Sequence, residues 1–332
     1  MHKIVNFLGL ALLSLLMILV GIWATLALFY AGAYSETVRY SFAAIFGVAA
    51  LLLAIMFYFR HLRWRAVGAF AVLFMLFLYW YNSITPSNER IWQKDVAVLP
   101  YATQEGERVT FHNIRNFHYR SETDYTPAYY DKTFDLNKLE GVDVISVYWM
   151  GPAVAHVFLS FSFEGGEHLA VSIETRKEEG EEYSTLKGFF RQYELYYVVA
   201  DERDVIGLRT NYRFDPVEDV YVYPLAGSLN DARQLFLTYV EQINRLKEKP
   251  EFYNTFTTNC TTTIWLNAQT GKNPIPMSWK VLVSGYVPEY LYENDRLHTE
   301  ELPFPQLRES VHVNERALES GIVDDFSEYI RK

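Results

Sequence analysis

The chain is short of thiols: a single cysteine, Cys260, stands in 332 residues. A lone cysteine excludes an internal disulfide and any multi-cysteine zinc or iron–sulfur centre. Positive charge is also scarce, with 30 Lys and Arg against 40 Asp and Glu. A net charge of −10 leaves no basic face to meet phosphates, so nucleic acid is not expected as a partner. The eight histidines are scattered and have no carboxylates at ligand spacing, so no metal is expected. Gly165-Gly166 reads as a hairpin turn rather than a phosphate cradle, and no cofactor is expected. No internal repeat or low-complexity run interrupts the chain.

What is present is unevenly spread. The stretches Ile4–Ser35, Tyr40–Phe59 and Ala66–Asn88 contain no Asp, Glu, Lys or Arg. Each reaches the roughly 20 residues that a helix needs to cross a ~30 Å hydrocarbon core. A signal peptide is the alternative for the first, but its apolar run is too long and two more follow. Between the second and third lies Arg60-His61-Leu62-Arg63-Trp64-Arg65, a basic loop that should stay in the cytoplasm. The expected topology has the N-terminus inside and everything after the third helix outside, with Tyr79, Trp80 and Tyr81 as an aromatic belt. Up to Arg65 the chain carries a net +4, so the remainder carries −14 and is not held on anionic lipid by charge. The expected division is a three-helix transmembrane anchor over residues 1–88 and an extracytoplasmic domain over 89–332.

The globular part reads as α+β with an antiparallel sheet. Strands are expected at Val109–Tyr119, Val142–Trp149, Val154–Phe163, His168–Thr175, Leu195–Ala200 and Val220–Tyr223, with a hairpin turn at Glu164-Gly165-Gly166-Glu167. Helices are expected at Tyr183–Tyr193, at Leu229–Lys247, and over Thr261–Ala268 with Gly271 and Pro274 after its end.

The chemistry centres on Thr258-Asn259-Cys260-Thr261. Thr258 or Asn259 is a good N-cap, which places Cys260 in the first turn of a helix. Free N–H groups and the helix dipole favour a thiolate there. On the outer side of a membrane, structural cysteines come in pairs, so an unpaired one is a candidate nucleophile; burial as a small apolar residue is the plainer reading. A nucleophilic thiol needs a base. His156 opens the apolar strand after Gly151-Pro152-Ala153-Val154-Ala155, where a solvated histidine is out of place. A core histidine bonded to backbone is the bland alternative; a Cys–His pair is a standard activation device. A third group should orient the imidazole. If the hairpin loop is Glu164-Gly165-Gly166, with Gly166 left-handed, Phe163 faces Glu167 and His156 lies across from Glu174; a two-residue loop turns Glu174 away. Ser172 and His168 share the Glu174 face as further candidates, and Glu174 could instead pair with Arg176 or Arg209.

Several motifs carry a family resemblance. They are Asn113-Ile114-Arg115-Asn116-Phe117, Ala155-His156-Val157-Phe158, Leu169 through Arg176, Ala200-Asp201-Glu202-Arg203-Asp204, Asn259-Cys260-Thr261-Thr262 and Trp279 through Tyr286. From about Thr110 to Val313 the chain resembles the catalytic domain of the bacterial Lnb-type lipoprotein N-acyltransferases, and more widely the circularly permuted NlpC/P60-like (papain-like) thiol fold. The resemblance implies Cys260 as nucleophile, His156 as base and Glu174 as third member, with Asn259, Ser172, Arg176 and Thr261 around them. It implies residence in the bacterial inner membrane with the domain in the periplasm. One departure stands out: in the family the membrane helices follow the catalytic domain, whereas here all three precede it, which leaves the acceptor open.

The expected function is a membrane-anchored acyltransferase. Cys260 would take an acyl chain from phospholipid as a thioester and pass it to an amine, such as the N-terminus of a lipoprotein. The abundant Tyr and Phe could line an acyl groove, although core packing explains aromatics equally well. A cysteine peptidase or amidase of the cell wall is the second reading, and a non-catalytic tethered module the third.

Overall fold

The computed structural model describes residues 2–32, 35–269 and 274–332. Ala33 and Tyr34, within the first apolar stretch, and Gly271, the expected helix stop, lie outside the described residues. The chain divides into two compact units, the first running to Ser87 and taking in Tyr183–Tyr193, the second comprising Asn88–Glu182 and Glu194–Lys332.

The first unit holds α1 (His2–Tyr30), α2 (Glu36–Tyr58) and α3 (Arg63–Ser83). All three are long and apolar enough to cross a membrane. Small residues let them approach: Gly21 meets Ala50, and Gly47 meets Thr25. Trp23 packs edge-on against Phe77 and Tyr81. On the outward faces Phe7, Leu12, Ile45 and Leu76 are largely exposed, as side chains meant for lipid rather than water.

The expected helix at Tyr183–Tyr193 is not formed. That segment contains only the 3-10 turn Lys187–Phe189 and is packed with the anchor helices: Phe190 stacks on Tyr30 and is buried. Arg191 has a φ of 52°, which no helix tolerates, and donates to Tyr81 O at 2.6 Å.

The second unit is built on a sheet of β1 (Tyr101–Glu105), β2 (Arg108–Arg115), β5 (Tyr129–Asp135), β6 (Leu139–Tyr148), β7 (Ala155–Phe163), β8 (Glu167–Arg176), β9 (Glu194–Ala200) and β10 (Asp219–Pro224). The short β3 (His118–Tyr119) and β4 (Tyr125–Thr126) pair apart from it. The order β1-β2-β9-β8-β7-β6-β10 is antiparallel except where β2 meets β9 in parallel at Arg115 and Ala200, so the sheet is mixed rather than purely antiparallel. The expected strand Val109–Tyr119 is broken after Arg115, because the Phe117 N–H turns to Asp204 Oδ2 at 2.6 Å. β1 and β5 have few apolar residues in alternation and were not anticipated.

Both faces of the sheet are covered. Even-numbered residues of β7, such as Phe158, join Val205 and Ile206 of α4 (Glu202–Asn211) with Ala317 of α10 (Asn314–Ser320) and Phe326 of α11 (Phe326–Tyr329). Odd-numbered residues, Phe161 and Phe163, pack on Phe236 of α5 (Leu229–Glu248). α6 (Cys260–Ala268) lies against β7 and β8, followed by α7 (Trp279–Leu282), the 3-10 turn Ser284–Tyr286, α8 (Val287–Glu293) and α9 (Phe304–Ser310).

Candidate active site

The β7–β8 hairpin has the three-residue loop, with Phe163 opposite Glu167 and Gly166 at φ 76°. Ladder pairing between these strands runs only to Leu159 and Val171. Beyond that point β7 still pairs with β6 to Ala155, and β8 still pairs with β9 to Arg176. The two strands therefore part at the end carrying His156 and Glu174. The start of α6 meets this opening, where the Val157 N–H lowers the pKa of the Cys260 thiol.

Asn259 makes the helix start. Its side chain accepts from Thr262 N at 2.8 Å, and Thr262 Oγ1 accepts from Asn259 N at 3.1 Å, a reciprocal capping box. Cys260 is the first residue of the helix, half-buried and unpaired. Its thiol faces the His156 ring and the Thr261 N–H, both of which favour the thiolate. Thr261 is buried, and its hydroxyl donates to Val281 O at 2.7 Å.

His156 is held from behind. Its Nε2 lies 2.7 Å from Ser172 Oγ, and that hydroxyl donates to Glu174 Oε1 at 2.9 Å. Ser172 thus spends its proton on the carboxylate and accepts from Nε2–H, which leaves Nδ1 as the nitrogen facing the sulfur. Glu174 Oε1 is itself 3.5 Å from Nε2 and 3.3 Å from Arg209 Nη2 on α4. Arg176 is not brought in. It donates to Val96 O, Ala97 O and Asn88 Oδ1 and lies over the Trp92 ring, because it sits a further two residues along β8. His168 is likewise remote, its Nδ1 donating to Gly166 O at 3.0 Å.

The surroundings set the charges. Burial pushes the thiol up, but His156 and the two N–H groups outweigh it and hold Cys260 below its ordinary value. Burial pulls the imidazole down, but its bonds to Cys260 and Glu174 raise His156 to about 9. Burial favours the neutral Glu174; His156, Arg209 and Arg115 together hold it well below the usual carboxylate range. Both shifts favour the thiolate–imidazolium form of the pair over the neutral one.

The segment Trp279 through Tyr286, one of the motifs of the family resemblance, braces strand and helix together. Ser284 Oγ accepts from Ala155 N at 3.0 Å, Gly285 N donates to Ala153 O at 3.1 Å, and Tyr148 Oη donates to Gly285 O at 2.6 Å. With the Thr261–Val281 bond, the segment 279–286 grips both the strand of His156 and the helix of Cys260. Bordered by Val157 and Thr261, the chain neighbours of His156 and Cys260, lies a cavity of about 380 Å³ walled by apolar groups including Leu159, Ile264, Trp265 and Val281, with Glu140, Asp231, Arg296 and His298 also on its wall.

Residues 125–285 match the family described as the Lnb N-terminal periplasmic domain. Over that span the chain is similar to the Lnb family. No curated protein and no solved structure matches it. The Lnb match contains His156, Ser172, Glu174, Arg209, Cys260 and Gly285, and follows three helices fit to span a membrane.

Elsewhere in the second unit, Asp143, His168 and Glu202 bring their ligand atoms within 4.8 Å of one another. The cation there is Arg331, which donates to Asp143 Oδ2 at 2.5 Å and to Glu202 Oε1 at 2.6 Å. Burial raises Glu202, but Arg331 lowers it to about 2.

Proposed function

We propose that this membrane protein is a thiol acyltransferase in which Cys260 is the nucleophile, His156 the acid–base group, and Ser172 and Glu174 the groups that orient it. The thiolate attacks the ester carbonyl of a phospholipid; the C–O bond breaks, and the lysolipid leaves with the proton of His156. The acyl chain is then held as a thioester. An amine attacks it, His156 takes the amine proton, the C–S bond breaks, and thiolate and imidazolium are restored. The N-terminal amine of a lipoprotein is the specific acceptor proposed, in keeping with the Lnb match. The proposed setting is the outer side of the bacterial inner membrane, with the basic loop Arg60–Arg65 in the cytoplasm.

The observation that carries this reading is Cys260 at a capped helix start facing His156, with Ser172 and Glu174 behind the imidazole and an apolar-walled cavity bordered by the neighbouring Val157 and Thr261. A wall peptidase or amidase would use the same pair with water as acceptor, but would call for an open polar cleft. The apolar lining favours the acyl chain.

The test is intact mass spectrometry of the purified full chain after incubation with phospholipid vesicles. Wild type gains one acyl mass on Cys260; His156→Ala and Cys260→Ala do not. A folded wild-type protein that gains none overturns the transferase, and a Cys260→Ser strain without phenotype points to a tethered module.

A further inference from the structure

The two ends of the β6–β7–β8 ladder differ in what they show to their surroundings. At one, the turn between β7 and β8 reads Glu164-Gly165-Gly166-Glu167. The other is the end at which β6 stops, β7 starts and His156 faces Cys260. There Tyr148 is paired both with Ala155 of β7 and with Asp219 of β10. The chain running on from Tyr148 carries Met150, and Val154 stands just before Ala155. The turn that leads into Asp219 carries Val217, bridged to Phe214. Trp279 comes to the same end, because its ring packs on Tyr286 and the adjoining Gly285 N donates to Ala153 O at 3.1 Å. Ile91 joins from the side of β8, its carbonyl accepting from Glu179 N at 2.8 Å just past Arg176.

These side chains are uncovered: Ile91 is 72% exposed, Met150 68%, Phe214 and Val217 60% each, Trp279 58% and Val154 39%. Exposed apolar side chains scattered singly are ordinary, but a set that the strand register gathers at one end marks an interaction surface. The course of the chain says what lies within its reach. The chain passes between the second unit and the unit of α1–α3 at Ser87–Asn88, Glu182–Tyr183 and Tyr193–Glu194. On the second unit's side all three belong to this end of the sheet. Asn88 Oδ1 accepts from Arg176 Nη1 at 3.1 Å, Glu182 follows soon after Arg176, and Glu194 is the residue paired with Arg176 across β8 and β9. Helices fit to cross a bilayer are thus tied by the chain to the end that carries the exposed apolar groups.

We propose that this end of the domain is a lipid-docking surface, with Met150, Phe214, Val217 and Trp279 set into the interfacial layer of the bilayer that α1–α3 span. Tryptophan suits that layer, with an apolar body and a polar indole N–H, and unbranched methionine adapts to it. Charge does not supply the attraction. The chain after Arg65 carries a net −14, and Asp215 stands between Phe214 and Val217, so anionic headgroups are not what the surface seeks. Burial of apolar side chains is the force that remains. His156 follows Val154 by two positions, so a docked domain holds the opening between β7 and β8 at the headgroup layer.

The experiment uses the full chain in vesicles of neutral phosphatidylcholine. The lone thiol is removed by Cys260→Ser, and a site for a nitroxide label is made by Met150→Cys, Phe214→Cys or Trp279→Cys, with Glu164→Cys at the opposite turn as reference. Power-saturation EPR compares collisions with oxygen, which concentrates in the bilayer, and with a neutral nickel chelate, which stays in water. The oxygen-to-nickel ratio at the first three sites is expected several-fold above that at position 164, and the same at about 0.1 M and about 1 M salt. Ratios equal to that at position 164 overturn the docking surface. Few collisions with either reagent report a protein contact, a second copy of the chain included, and overturn it as well. A high ratio that is lost at about 1 M salt overturns apolar insertion. If one labelled variant does not fold, the other two decide. The readout needs no acyl transfer, so its failure leaves the Cys260 chemistry standing, and failure of that chemistry leaves the docking surface standing.

Discussion

A thiol and an imidazole share a proton according to what surrounds them. Around Cys260 the N–H groups of Val157 and Thr261 and the His156 ring favour the thiolate, and around His156 the Ser172–Glu174 pair favours the imidazolium. Arg209 keeps Glu174 charged, so the support does not lapse near neutral pH. The sign of the pH dependence follows. Below the lowered value of the thiol, protonation removes the nucleophile; above the raised value of His156, at about 9, the proton needed by the leaving group is lost. The acylation rate should trace a bell whose alkaline limb is centred near pH 9. Stopped-flow acylation across the pH range checks it; a rate that rises and stays flat through pH 10 or so would deny His156 its acid role.

Two elements meet at the pair only because of how they end. β7 and β8 part after Leu159 and Val171, and α6 starts in a capping box at that opening. The Ser284–Tyr286 turn then ties strand to helix. Gly285 is where the tie is tightest: a Cβ there would lie 2.1 Å from Pro152 O, which is backbone and cannot swing aside. Gly285→Ala should therefore push the 279–286 segment away from the start of β7, at a cost of about 1–3 kcal/mol. A shift of the order of 1 Å between Cys260 and His156 should lower the acylation rate by about a hundredfold. Chemical denaturation and burst kinetics measure the two effects, and a variant acylated at the wild-type rate would show that the turn positions nothing.

The whole molecule joins a helical unit whose apolar side chains point outward to a domain whose apolar side chains point inward. In the second unit Asp143 and Glu202, both buried, are paired with Arg331. The basic loop between α2 and α3 predicts that the domain lies across the membrane from that loop. With one cysteine in the chain, Cys260 reports on this itself. A membrane-impermeant maleimide added to intact spheroplasts should modify it, and modification only after lysis would reverse the topology.

Local physics explains what was legible beforehand. Three charge-free apolar runs, a polar cap before Cys260 and a diglycine turn that sets the β7–β8 register are each decided by a few neighbouring residues. Hydropathy, capping and turn geometry act at that range. The helix expected at Tyr183–Tyr193 marks the limit: packing of Phe190 on Tyr30 decides otherwise. Which carboxylate arrangement reaches His156, that Ser172 stands between them, and that Arg209 rather than Arg176 neutralises Glu174 were settled only by the tertiary structure. Those contacts depend on where two strands separate and on how α4, α5 and α6 pack against the sheet, and residues distant in the chain acquire such neighbours only when the core closes.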